Sequence, residues 1–356
     1  MTVLGTQVVI ALYDELSYKS AAGIDAGLAM AVTGFSLDAQ RAVMPSALIQ
    51  PDRAHQGAGT DNLDIAGGID LEMSAETIGF VLRHLLGTPL TSSAAAPPAP
   101  PYVHQYRMST LPAGLLVERD WTTSGLAEVE HFLGRRIDQA TFAIARDSPV
   151  TLSLDLLGAR YALSAAPLVA PLTFNGHGSW YASDVSVLID DAEISNVINA
   201  TLTLSNNLDR ARYGLGAGGE RYDLAEGMCD ASATLTALVD ADLFATYLDP
   251  ALDGSPIRLE LRLRRGDGSG TAGNEQLRLI LPQALLSLTS PPITSPMGLE
   301  VSLALEAYGT TQAAAVEAEL FSPLPANPLE NHLTWFTTAD GSYFMAADGA
   351  YYGMLH

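Results

Sequence analysis

Arg212–Gly227 reads RYGLGAGGERYDLAEG, and Gly214, Gly216 and Gly219 stand in it at the spacing of a dinucleotide-binding loop. In such a loop the glycines let the backbone approach a pyrophosphate, which sits on the N-terminus of the next helix. The chemistry requires a strand directly before the glycines and a helix directly after. Here a polar run, 206–213, precedes them, and ERYDLAEGMCDAS follows with the character of turn and strand. No acidic residue ends a second parallel strand. The pattern therefore reads as a loop between two antiparallel strands, and no cofactor is expected. Loops held by rigid strands commonly carry contacts.

Other chemistry is thinly supported. Cys229 is the only cysteine, so neither an intramolecular disulfide nor a cysteine-based metal site can form. It has no local base to activate it, and alternation places it on an apolar face. The histidines at 55, 84, 104, 131, 177, 332 and 356 never fall at metal-binding spacing. Asp190, Asp191 and Glu193 could hold a cation but fit a solvated strand end better. Trp121, Trp180 and Trp335 are too far apart in sequence to define a stacking platform. Nucleophile-elbow, P-loop, zincin and EF-hand patterns do not occur. The chain is not expected to be an enzyme.

Composition narrows the classes further. Apolar residues make up 48% of the 356 and charged residues only 16%, so the chain buries a sizeable core, and its length is long for one core and comfortable for two domains. The net charge of −22 argues against gripping nucleic acid, which needs clustered bases. Lys19 is the only lysine, and the densest basic group is Arg258, Arg262, Arg264 and Arg265. No apolar run is long enough for a membrane helix, and the N-terminus lacks the basic start of a signal peptide.

The elements that would hold such loops recur along the chain. Asp52, Arg53, Ala54, Gly57 and Gly59 reappear as Asp209, Arg210, Ala211, Gly214 and Gly216. DIAGG at 64–68 is matched by DLAEG at 223–227, LLGTPL at 85–90 by YLDPAL at 247–252, and PVTLSLDL at 149–156 by GLEVSLAL at 298–305. The order is the same in both halves, which indicates an internal duplication. Period-two alternation marks strands around Ile69–Ser74, Thr151–Leu156, Ile198–Ser205 and Cys229–Thr234. One helix is expected per copy, over 74–86 with Ser74 as N-cap and over 240–248. TSSAAAPPAPP (91–101) reads as a loop, and RRGDGSGTAGNEQ (264–276) as a hairpin connection. ADGSYF and ADGAYY, after Pro325, suggest a small β-meander that packs on a neighbouring surface.

In this order the features resemble the tail tube proteins of long-tailed bacteriophages, in a subfamily with a duplicated tube unit. The resemblance spans 11–308 and rests on several stretches. The first are LYDELSYKS, FSLDAQRAVMPSALIQPDR and AGGIDLEMSAETIGFVLRHLLG. The second copy supplies VINATLTLSNNLDRARYGLG, LAEGMCDASATLTALVDADLFATYL and LRLILPQALL. It implies a mainly β fold of two tandem sandwich or barrel units, each with one flanking helix: 1–165, 166–324, and a C-terminal aromatic extension over 325–356. It also implies rings that stack head to tail into a tube conducting viral DNA, with the duplicated chain forming a pseudo-sixfold homotrimer and a hexamer as the alternative. The implied partners are other copies of the chain, and the tape measure, tail terminator and distal tail proteins. The implied location is the virion tail, assembled in the host cytoplasm, without a membrane.

On that reading Asp70, Glu72 and Asp230 are candidates for a lumen that repels phosphate. Asp52, Arg53, Gly57, Gly59, Asp209, Arg210, Gly214 and Gly216 are candidates for contacts between stacked rings. A competing reading is a two-domain β-sandwich binding module, such as an adhesin or carbohydrate binder.

Overall fold

A computed structural model describes residues 4–47, 57–93, 100–170, 172, 178–239, 247–291, 293, 299–310 and 313–325, with the backbone of 334–337 and 343–346. The first half contains β1 (Val9–Glu15), β2 (Leu28–Met30), β3 (Gly34–Phe35), β4 (Asp38–Pro45), β5 (Ala58–Glu72) and α1 (Ala75–Leu86). It continues with β6 (Leu90–Ser93), β7 (Tyr102–Arg107), β8 (Gly114–Asp120), β9 (Val129–Ala145), β10 (Thr151–Gly158) and β11 (Arg160–Ser164). The second half contains β12 (Val185–Ile189), β13 (Ala192–Ile194), β14 (Val197–Ser205), β15 (Asp230–Leu238) and α2 (Asp249–Asp253). Then follow β16 (Ile257–Arg264), β17 (Gln276–Leu286), β18 (Glu300–Ala307), β19 (Glu317–Ser322), β20 (Thr334–Thr337) and β21 (Tyr343–Ala346).

Every strand pairing is antiparallel, and the pairing order of the first half returns in the second. One sheet runs β2-β1-β8-β9-β11, and its analogue runs β13-β12-β16-β17-β19. The other runs β4-β5-β10-β9, and its analogue runs β14-β15-β18-β17. The second pair is joined edge to edge where β9 meets β14. A single sheet eight strands across results, β4-β5-β10-β9-β14-β15-β18-β17, with β3 continuing the β4 edge along β5. Strands β6 and β7 have no analogue in the second half: β7 pairs with β19 and β6 with β21. The first half thereby extends the β13-β12-β16-β17-β19 sheet of the second.

β9 enters both sheets of its half. Val129–Arg135 pair with β8 and β11, while Arg136–Ala145 pair with β10 and β14. The crossing lies at Gly134, where φ is +62°. A Cβ there would stand 2.7 Å from the Lys19 side chain and 3.1 Å from that of Ala159, and its N–H donates to the buried Glu15 carboxylate at 2.7 Å. Gly134→Ala is therefore expected to destabilise the fold by about 1–3 kcal/mol, the cost of a strained left-handed residue. Urea unfolding reads this directly. A change below about 0.5 kcal/mol, typical of a neutral surface substitution, would contradict the strain argument.

The core lies between the sheets. Along the eight-stranded sheet, Leu71, Leu152, Phe142, Leu202, Ala233 and Leu305 form one buried cross-strand row. α1 covers this side with Ile78, Phe80, Val81, Leu82, Leu85 and Leu86, all at most 1% exposed. Glu76 in its first turn and Arg83 and His84 in its last complement the helix dipole, and it stops at Gly87, with φ +109°. Ser74 stands at the N-cap, but its hydroxyl meets the Thr77 hydroxyl at 2.9 Å rather than a backbone N–H.

Several expectations differ in detail. The first residues of TSSAAAPPAPP are strand, because Thr91 hydrogen-bonds the buried His104 at 2.8 Å and pairs with β7; residues 94–99 lie outside the described residues. Most of the expected second helix, 240–246, also lies outside them. The pairing 257–264 with 276–284 makes the glycine-rich 265–275 stretch a hairpin connection. DIAGG lies in β5 and DLAEG in the connection before β15. The ladders instead set Ile69 beside Leu154 and Leu235 beside Leu303, so these are the equivalent positions. Cys229 is half-buried, one residue short of β15, and burial pushes its thiol up to about 11. The C-terminal hairpin β20–β21 packs by pairing with β6.

Candidate functional site: a polar sheet face, its covering loop and its edges

The second face of the eight-stranded sheet is built from the residues that alternate with the core rows. Asp70, Ser153, Thr141, Thr203, Ser232 and Glu306 form one cross-strand row. Glu72, Thr151, Ala143, Thr201, Thr234 and Ala304 form the next, and Gly68, Asp155, Gln139, Ser205 and Asp230 a third. These rows hold five carboxylates, Asp70, Glu72, Asp155, Asp230 and Glu306, all exposed, and no Lys, Arg or His. Hydroxyls and small side chains fill the rest. A face of this kind repels phosphate and offers no cation to hold it, and its one large apolar side chain in these rows is Leu285 of β17, 41% exposed opposite Glu306.

The structure thus brings Asp70, Glu72 and Asp230 onto one face of one sheet. Two of them have polar neighbours there: Ser179 donates its hydroxyl to Glu72 at 3.1 Å, and Asn207 donates to Asp230 at 2.6 Å. Sequence reasoning did not name Asp155 or Glu306 as site residues. The signal existed in the alternation of TLSLDL and in its match to EVSLAL, but only the ladders reveal that the two stretches share a face.

The connection 206–229 between β14 and β15 folds over one end of this face. Leu208 and Leu224 bury against Leu157 of β10, with Ala66 of β5 beside them. Asp138 accepts the Leu208 N–H at 2.8 Å and the Arg210 guanidinium at 2.6 Å. Arg221, only 3% exposed, donates to the carbonyls of Gly158 and Ile65 at 2.7 and 3.2 Å, pairs with Asp64, and lies over the Tyr213 ring. The loop of the second half is therefore anchored on strands of the first. Arg221 was missed in the sequence because a single arginine in a loop carries no periodic signal.

The glycines serve that loop. Gly216, Gly218 and Gly219 all have positive φ. The carbonyls of Gly218 and Gly219 accept from the Arg41 side chain and the Leu63 N–H. The next element after them is β15, so no helix N-terminus follows the glycines. At the tip, Gly216 is exposed beside a fully exposed Leu215. Gly214 forms the turn that accepts the Ala217 N–H, and Asp209 accepts the Ala211 N–H. On the first half, Gly59 pairs with Met44 and the Gly57 carbonyl accepts from Ser46 at the base of the β4–β5 hairpin. Asp52 and Arg53 lie outside the described residues.

The β2-β1-β8-β9-β11 sheet and its analogue in the second half differ at one equivalent position. Glu118 on β8 is fully buried and accepts from the Tyr13 hydroxyl, the His131 Nε2–H and the Leu168 N–H, each within 2.9 Å. It thereby ties the segment after β11 to the sheet, where Leu168, Val169 and Leu172 cover Tyr13, Leu116 and Leu133. Glu260 on β16 is also fully buried but accepts from Arg258, Arg262 and Arg278 at 2.8–2.9 Å. Burial alone would raise the Glu260 carboxyl; the three guanidiniums overcome this and hold it at about 2. Two members of the arginine-rich stretch seen in the sequence, Arg258 and Arg262, thus pair with Glu260 on their own strand, and Arg265 pairs with Glu275. Asp190 and Asp191 close the β12–β13 turn and bond the Arg258 N–H and side chain, while Glu193 accepts from Ser186.

Comparison with known proteins adds one finding. A family model described as phage tail tube protein matches residues 5–307. No curated protein matches the chain.

Proposed function

Starting from the phage tail tube protein family, to which this chain belongs, we propose that the polar face of the eight-stranded sheet lines a channel through which viral DNA passes. The family gives the coarse function, a structural component of the virion tail. The observation that carries the finer reading is the acid and hydroxyl face itself, continuous over both halves and free of bases among its three rows. DNA slides along such a wall because nothing on it replaces the counterions of the phosphates. Asp70, Glu72 and Asp230 are lumenal in this reading, together with Asp155 and Glu306.

The repeated pairing order supports two tube units in one chain, 1–165 and 166–324, followed by the extension 325–356. Three chains then supply six units, and the rings are homotrimers of pseudo-sixfold symmetry. Head-to-tail stacking is heterologous and open-ended, which makes a tube. The exposed tip at Leu215 and Gly216, and the hairpin around Gly57 and Gly59, are the contacts offered to the next ring; Asp52, Arg53, Asp209, Arg210 and Gly214 belong to the same two loops. Assembly takes place in the host cytoplasm with the other tail proteins, and no helix among the described residues is long and apolar enough to cross a membrane.

Negative-stain electron microscopy of the concentrated protein, with ring mass from light scattering, tests this. The expected result is rings or tubes with six lobes and a mass of three chains per ring. Six chains per ring would retain the tube and overturn the trimer. Particles that stay monomeric even with the other tail proteins added would overturn the tube.

A further inference from the structure

Arg135 follows the crossing glycine of β9 and pairs with Leu115 of β8. Its side chain is fully buried. A guanidinium carries five N–H donors in a fixed fork. Here Nη1–H donates to the Leu156 carbonyl at 3.2 Å, while Nε and Nη2 have no acceptor among the described residues. Those two nitrogens lie side by side along one edge of the planar group. That edge is the one that grips an anion through two parallel N–H bonds. The guanidinium carbon also lies over the Phe132 ring, 5.1 Å from its centre, which eases the charge without supplying a counter-charge.

The surroundings are shaped around this side chain. A Cβ on Gly158 of β10 would stand 2.8 Å from Arg135 Cδ and 2.9 Å from Nε. Gly158 is not among the left-handed glycines, so its bare Cα serves to give the arginine room. The Gly158 carbonyl in turn accepts from the buried Arg221 at 2.7 Å, so two guanidiniums meet at one glycine. Arg221 has Asp64 as its carboxylate, whereas no carboxylate bonds Arg135 among the described residues. Burial and the like charge of Arg221 push the Arg135 guanidinium down to about 9, which leaves it a cation at neutral pH. A charge taken out of water needs a partner. A water molecule would satisfy the N–H groups but leave two cations against one carboxylate.

We infer that Arg135 holds a small inorganic anion of the halide class, chloride in a cell, between its Nε–H and Nη2–H, with Arg221 as the second cation of the site. The neighbouring side chains Ile65, Phe132 and Leu156 are at most 1% exposed, so the site admits a compact monovalent ion and not a phosphate or an organic acid. The chain carries a net charge of −22, so its general field repels anions. Occupancy therefore depends on this local pair of arginines. The ion joins β9, β10 and the 206–229 connection at the point where β9 changes sheets. It becomes enclosed as the chain folds, and its binding adds to folding stability. The site is independent of the channel reading, because Arg135 is fully buried and the acids of the polar face are exposed.

Urea unfolding of the full chain in sodium chloride and in sodium gluconate, at one ionic strength, tests the site. Protein is kept dilute enough that the midpoint does not depend on its concentration. Once chloride exceeds its Kd, each tenfold rise is expected to raise the folding equilibrium constant of the parent about tenfold. Bromide should act in the same way, and gluconate should not. Arg135→Met keeps a long unbranched side chain and removes the charge. It should fold and show the same stability in both salts. Equal stability of the parent in the two salts would overturn the inference. So would a chloride dependence that persists in Arg135→Met, since that is a general salt effect. Should the variant fail to fold, anomalous scattering from bromide-soaked crystals of the parent decides. A bromide peak in contact with Nε and Nη2 of Arg135 supports the site, and a water molecule alone at that edge overturns it.

Discussion

Replacing Glu260 by glutamine is expected to destabilise the chain by about 2–4 kcal/mol, as read by urea unfolding at neutral pH. The carboxylate is fully buried, and its oxygens accept from three guanidiniums whose side chains are 24–30% exposed. Removing its charge leaves Arg258, Arg262 and Arg278 facing one another without their shared counterion. Their partial exposure lets water absorb part of the penalty, so the loss falls in the lower part of the range for a broken buried pair. The pH dependence has a definite sign. The folded carboxyl sits at about 2, below its ordinary 4.5, so its contribution is complete above pH 4.5 and disappears as pH falls through 2. Glu260→Gln should therefore lose less stability than the parent over that interval. A loss under about 0.5 kcal/mol at pH 7 would mean the arginines find other partners without cost.

The second large effect concerns passage of DNA. In the Asp70→Lys, Asp230→Lys double variant, each chain places two cations on the polar face, repeated in every ring. Both acids are exposed, so folding and tube formation should survive with changes near 0.5 kcal/mol. Tubes of the parent should leave duplex DNA unbound. Tubes of the variant should retain it, with affinity falling steeply in salt by a log–log slope of about −0.9 for each phosphate neutralised. In assembled particles, DNA release should slow while tube length is unchanged. Release at the parental rate, from tubes that also fail to retain DNA, would remove Asp70 and Asp230 from the channel wall.

What could be read in the sequence followed the period of the backbone. Strict alternation in TLSLDL and NATLTLS gave strands with the correct inward and outward faces, since side chains of successive strand residues must oppose. α1 was legible from Ser74 as its N-cap and from the acidic Glu76 in its first turn. Of the candidate site residues, Asp70, Glu72 and Asp230 were legible as polar strand positions. That they share a face with Asp155 and Glu306 was not, because ladder register is a long-range property that no local pattern encodes. The misplaced match of DIAGG with DLAEG shows the limit from the other side. Common small and acidic residues coincide easily, while the equivalence of Ile69 and Leu235 is fixed only by their partners on β10 and β18. The buried Glu118 and Glu260 stand at equivalent positions, yet one is held by a tyrosine and a histidine and the other by arginines. Neither set is contiguous in sequence.

The passage of β9 through both sheets has a mechanical consequence. Its backbone is covalent from the β2-β1-β8-β9-β11 sheet, at Val129, to the eight-stranded sheet, at Ala145, and β17 repeats the arrangement from Gln276 to Leu286. A drag force on the eight-stranded sheet is therefore carried to the other layer by peptide bonds and not by side-chain packing alone. The two layers cannot shear past each other without stripping whole ladders at once. Friction from a long polymer moving along the polar face would load the molecule in its stiffest direction.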